Sequence, residues 1–175
     1  MGKLTSAKEV GGKYLGDCVC RIFMDFVGKE LLENCKVVGP DVYIAGFTAV
    51  QFDFLIVDGS ANPRKHTNAF EPKDVKVVFE SKARGVFGGI ADLQKGFGKI
   101  ASNWHLIKNK HAHINFIYLT FQEAGTPKRE HSINYWAETK KHLNGFRAFC
   151  LRDSRTHKAI EHEWEILITY LKTLL

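Results

Sequence analysis

Glu80 and Lys82 stand two residues apart at the end of an apolar run, Val75-Lys76-Val77-Val78-Phe79-Glu80-Ser81-Lys82. On a strand that spacing presents both side chains on one face. Asp53 is set into a second apolar run, Gln51-Phe52-Asp53-Phe54-Leu55-Ile56-Val57-Asp58. A charge in a buried strand is costly unless it is paired or bound to a metal. If the two runs pair, two carboxylates and an ammonium converge. Two carboxylates at the rim of a sheet suit a hard divalent cation such as Mg²⁺, with Mn²⁺ as a substitute, because such ions prefer oxygen ligands and keep several waters. Such a cation polarises a phosphodiester and lowers the pKa of a bound water. A neighbouring ammonium orients that water or offsets the charge building on phosphorus.

The elements that must position these groups are legible in order. Ala7 to Cys35 reads mainly as helix, with Val10, Tyr14, Cys18, Ile22, Phe26 and Leu31 near a 3.6-residue period and a capping box at Ser6 and Glu9. Gly39-Pro40 breaks the chain, and Val42-Tyr43-Ile44 is a short strand. Strands follow at 50–57 and 75–81, separated by a polar 60–73 loop holding Pro63 and Pro72. Ile90 to Lys108 reads as helix and Ile114 to Phe121 as strand. Ile133 to Leu143 is a short helix, Gly145 to Leu151 a strand and His157 to Leu175 a final helix. Helices before and after the strand at 114–121 imply parallel crossovers, while the strands at 50–57 and 75–81 suit an antiparallel pair. The expected fold is α/β, a mixed central β-sheet flanked by helices on both faces.

This pattern resembles the PD-(D/E)xK nuclease superfamily: an apolar strand with an embedded Asp, a turn, an apolar strand ending in Glu-x-Lys, then a helix. The matching residues are Asp53, Glu80 and Lys82. The resemblance covers roughly residues 10–121, with 122–175 as peripheral additions to one restriction endonuclease-like domain spanning 1–175. It implies a metal-dependent endonuclease acting on DNA, in restriction or defence first, in repair or as a Holliday junction resolvase-like nuclease second. Asp53 and Glu80 would be the metal ligands and Lys82 the residue that orients the water. Asp58 competes with Asp53 for the first acidic position. Asp53 fits better, being followed by four apolar residues, whereas Asp58 precedes Gly59 and opens a turn. A first-helix acid often completes such sites, and Asp17, Asp25, Glu30 and Glu33 are all candidates. Phe52 stands where the family motif has Pro, and Gln94 reads as a helix-surface residue.

The net charge of +6 favours a polyanionic partner. Arg84 and Lys95, which follow Lys82 closely, are the first candidates for phosphate contacts, with Arg64 and Lys65 on the 60–73 loop beside them. Lys99, Lys128, Arg129, Arg152 and Arg155 are more remote. His105, His111 and His113 include a His-x-His, but no Cys or carboxylate sits beside them in sequence, so loop and surface roles are expected. Trp104, Trp136 and Trp164 occupy helical apolar positions and read as core. Cys18, Cys20, Cys35 and Cys150 lack the spacing of a zinc or redox motif and read as reduced core thiols. No run is long and apolar enough to span a membrane, and the first ten residues lack a signal-peptide core, so a cytoplasmic setting is expected. A homodimer cutting two strands fits this reading, as does membership of a larger multidomain protein or complex. The rival reading is a non-catalytic nucleic-acid-binding module with the same fold.

Overall fold

The computed structural model describes residues 34–82, 90–120, 143, 145–151 and 159–175. Most of the expected first helix and the expected helix at 133–143 lie outside the described residues, apart from the buried Leu143. Eight strands are described: β1 (Cys35–Val38), β2 (Val42–Ile44), β3 (Gln51–Phe52), β4 (Phe54–Asp58), β5 (Ala69–Phe70), β6 (Val75–Lys82), β7 (Asn115–Thr120) and β8 (Arg147–Cys150). Two helices join them, α1 (Ile90–Lys110) and α2 (Glu161–Leu174). Cys35, expected at the end of a helix, instead begins β1. The β-branched Val37-Val38 pair favours the extended chain.

The main sheet runs β1-β4-β6-β7-β8. β1 pairs antiparallel with β4 and β4 antiparallel with β6, while β6–β7 and β7–β8 are parallel. The mixed sheet expected from the element order is therefore present, with α1 as the crossover between β6 and β7. A second, three-stranded sheet runs β3-β2-β5. Its strand β5 lies within the stretch expected to be loop throughout, followed by a 3-10 turn at Pro72–Asp74.

Each face of the main sheet is sealed by one described helix. On the first face Leu55, Val57, Val78, Phe116 and Tyr118 pack with Phe97, Trp104 and Ile107 of α1. The α1 residues recur at helical spacing, so one stripe is buried while Lys95 and Lys99 stay exposed. Trp104 is only 1% exposed, as its place in the pattern predicted. On the second face Phe54, Ile56, Val77, Phe79, Ile117 and Leu119 pack with Leu167 and Leu171 of α2. Acids Glu161 and Glu163 in the first turn of α2 complement its dipole. Burying each of these large side chains contributes about 1.5–3 kcal/mol.

The run expected as one strand at 50–57 is two strands in two sheets. Phe52 packs into the first-face cluster and Phe54 into the second. Residues two apart on a continuous strand share a face, so the chain must change course between them. Asp53 is that point: β3 ends before it and β4 begins after it.

Candidate active site

Asp53 and Glu80 flank the point where the pairing of β4 with β6 stops, at the start of β4. The last paired residues of the two strands are Phe54 and Phe79, whose rings stack 4.6 Å apart on the second face. One step further along each chain come Asp53 and Glu80, both half-buried. Glu80 is held from the other side by its pairing with Tyr118 of β7, and alternation gives it the first face, shared with Val78 and Tyr118.

The Asp53 carboxylate is fixed by a backbone group. Its Oδ2 accepts the N–H of Ser81 at 2.5 Å. Because β4 starts only at Phe54, the backbone ladder offers no partner to this N–H, and a buried N–H demands one. The side chain supplies the missing acceptor and is thereby anchored beside the residue linking Glu80 to Lys82. The Ser81 hydroxyl is buried and has no hydrogen-bond partner among the described residues. Sequence reasoning treated Ser81 as the variable middle of Glu-x-Lys. Its contribution here is a backbone donor, for which no side-chain signal exists.

Gly39 completes the support. It packs against the Asp53–Phe54 step so closely that a Cβ there would lie 2.6 Å from the Asp53 carbonyl oxygen and 2.7 Å from Phe54 Cβ. Its φ of +153° also lies where side chains are rarely tolerated. Asp41, two residues on, accepts a hydrogen bond from Gln51 Nε2 and so ties β3 to the same turn. The sequence marked Gly39-Pro40 only as a break. Its signal as a support for Asp53 lay in the glycine, but its partner was not readable.

Asp58 belongs elsewhere. It lies at the other end of β4, opposite Cys35, and forms a 2.9 Å ion pair with Lys76. Hydrogen bonding to Asp58 raises the Lys76 ammonium above its ordinary pKa. The structure thus separates the two aspartates, Asp53 on the Ser81 N–H and Asp58 committed to a lysine.

Lys82 ends β6 two residues beyond Glu80 and pairs with Thr120. Of the basic residues proposed for phosphate contact, Arg84 lies outside the described residues. Lys95 is exposed on α1, and Lys65 is exposed on the loop after β4. Arg64 grips Glu71 with two nitrogens, at 2.6 and 3.2 Å, and holds the Glu71 carboxyl below its usual range. The loop carrying Arg64 and Lys65 leaves β4 at the end opposite Asp53. Gln94 lies in the early part of α1. The four first-helix acids lie outside the described residues.

Cys18, Cys20, Lys128, Arg129, Trp136, Arg152 and Arg155 lie outside the described residues, whereas two of the histidines have local partners. His113 Nε2 donates to the Pro72 carbonyl at 2.9 Å, and His111 packs edge-on against Phe47. Cys35 is half-buried and Cys150 buried, both as free thiols, and burial pushes the Cys35 thiol up. Among the described residues no group of three or more His, Cys, Asp or Glu is placed to hold a metal. Asp53 and Glu80 each carry oxygen donors alone, the donor type that hard cations prefer.

No family model matches the chain, and no curated protein matches it. Solved structures do. NucC of P. aeruginosa ATCC27853 in its cAAA-bound form aligns over 98% of this chain and 83% of its own, at 15% identity and a TM-score of 0.56. NucC of E. coli MS115-1 aligns in its apo form over 93% of this chain and 86% of its own, at 15% identity and a TM-score of 0.53. The cAAA-bound form of the same protein covers 91% of this chain and 78% of its own, at 15% identity and a TM-score of 0.52. The likeness is one of fold. Among the described residues no helix is long and apolar enough to cross a membrane.

Proposed function

We propose that this protein is a metal-dependent endonuclease that hydrolyses DNA phosphodiesters, with defence against foreign DNA as its setting. The observation that carries this reading is the Asp53 carboxylate anchored on the Ser81 N–H, between Glu80 and Lys82 in the chain. The likeness of fold to NucC supports it. Asp53 and Glu80 would hold Mg²⁺ or Mn²⁺, which when bound polarises the phosphodiester and acidifies a water.

The protein's own groups do the rest. Asp53 has one oxygen tied to the backbone, so its carboxylate is oriented before any ligand arrives. Glu80 is paired with Tyr118 of β7 on a central strand, which limits its freedom to drift. The Lys82 ammonium would orient the attacking water and offset charge on the phosphoryl oxygens. Arg84 and Lys95 would meet flanking phosphates, and Arg64 and Lys65 would add weaker contacts without reading sequence. A homodimer would bring two such sites to two strands.

The test is direct. Purified protein with Mg²⁺ or Mn²⁺ is expected to nick plasmid or cut linear DNA, and chelation should stop it. Lys82→Ala is expected to abolish cleavage with the circular dichroism spectrum unchanged. Protein that binds DNA and cuts no form of it under either metal would instead identify a non-catalytic binding module.

A further inference from the structure

A groove of about 300 Å³ opens at the far end of β7 and β8 from Glu80. The polarity of the strands fixes that separation. Glu80 pairs with Tyr118 toward the end of β7, whereas the groove is lined by Asn115 and Phe116 at its start. At about 3.3 Å per residue the two regions stand about 10 Å apart along the strand. The groove wraps the end of the sheet, from His105 and Lys108 of α1 on one side to Tyr170 of α2 on the other.

Its walls combine two chemistries. Phe116, Phe146 and Tyr170 supply aromatic surface, and His105 lies 4.6 Å from the Phe146 ring. Arg147 at the start of β8 lies over Tyr170, 4.8 Å from the ring centroid. A guanidinium stacked on one side can stack a planar ring on the other. Lys108 donates to the Ile114 carbonyl at 2.7 Å, which occupies one of its three N–H groups. No carboxylate lines the groove among the described residues. Burial pushes the Lys108 ammonium below its ordinary pKa. Cations beside aromatic walls suit a ligand that is both planar and anionic. The volume is at the small end for ligand sites and admits about one nucleotide.

We propose that this groove binds a phosphorylated planar ring compound the size of one nucleotide, its ring on the Arg147–Tyr170 stack and its phosphate at Lys108 and His105. A free nucleotide and the 5′-phosphorylated end of a strand present the same chemistry. The site is separate from Asp53 and Glu80 and does not depend on cleavage.

Isothermal titration of the full chain without divalent metal tests it, with adenosine monophosphate, adenosine and inorganic phosphate as probes. One saturable site for the monophosphate is expected, with adenosine and phosphate each weaker by about tenfold or more. Arg147→Gln and Lys108→Met should each weaken the monophosphate about tenfold, whereas Lys95→Met and Lys82→Met should leave it unchanged. Displacement of the monophosphate by a 5′-phosphorylated dinucleotide would support the site with a strand end as its source. Failure to displace, with the other results holding, would support it with a free nucleotide as the source. Absence of saturable binding at millimolar probe would overturn the proposal. So would loss of binding in Lys82→Met with Arg147→Gln and Lys108→Met unaffected.

Discussion

The Asp53 carboxylate accepts the Ser81 backbone N–H at 2.5 Å, and this contact gives Asp53 a structural duty beside the catalytic one proposed for it. The two are separable by substitution. Asp53→Asn keeps an acceptor oxygen for the N–H and removes the charge. Asp53→Ala removes both and leaves a part-buried donor unpaired, which costs about 1–3 kcal/mol. Both variants are expected to lose DNA cleavage by roughly a hundredfold or more, the least expected for a metal ligand. Only Asp53→Ala should show a lowered denaturation midpoint. Equal destabilisation by both variants would show that the charge itself, and not the acceptor, holds the strand end.

Asp58 is expected to behave differently. Its ion pair with Lys76 is more than a third exposed on both sides, 37% each, so solvent screens most of its energy. Asp58→Asn should keep full cleavage and change stability by less than about 1 kcal/mol. The pH dependence has a definite sign. The Lys76 pKa is raised in the folded state, so the small stabilisation is present below the ordinary lysine range and fades as pH climbs through the raised value. Denaturation midpoints of wild type and Asp58→Asn, compared from pH 7 to pH 11, should converge at the alkaline end. Loss of cleavage in Asp58→Asn would reassign the first acidic position.

Much of this architecture was readable from residue order, because periodicity and embedded charges are local signals. The α1 stripe of Phe97, Trp104 and Ile107, and the strands carrying Glu80 and Tyr118, announce themselves by spacing. The break at Asp53 does not. Gln51 to Asp58 reads in sequence as one largely apolar strand with Asp53 set into it. Only the assignment of Phe52 and Phe54 to opposite faces reveals two strands. Cys35 falls in the expected helix for a related reason, since the short Cys35 to Val38 segment fits helix or strand until β4 is present to pair with it. Ser81 and Gly39 act through backbone, so residue type carried no trace of what they touch.

Gly98 offers a prediction on stability alone. It lies in the exposed interior of α1, and a Cβ there would meet nothing within 4 Å. Gly98→Ala should therefore raise stability by about 0.5–1 kcal/mol, through the lower backbone entropy of alanine in the unfolded chain. For a chain of this size that is a rise of roughly 1–4 °C in Tm. Cleavage should be unaltered. A fall in Tm would mean that α1 is kinked or covered at that position.

Gly39→Ala tests the support of Asp53 from the opposite side. The added methyl would come 2.6 Å from the Asp53 carbonyl oxygen and 3.0 Å from Phe54 Cα, both backbone atoms that cannot swing aside. The left-handed φ adds its own strain. Together these are expected to cost about 2–4 kcal/mol. Relief requires the Asp53–Phe54 step to move, and that step sets the carboxylate relative to Glu80. Gly46→Ala is the control: its φ of +85° carries strain, but nothing lies within 4 Å of the added carbon. At temperatures where both variants are fully folded by circular dichroism, Gly39→Ala should lose cleavage and Gly46→Ala should keep it. Equal activity in the two would show that the turn at Gly39 stabilises the fold without positioning Asp53.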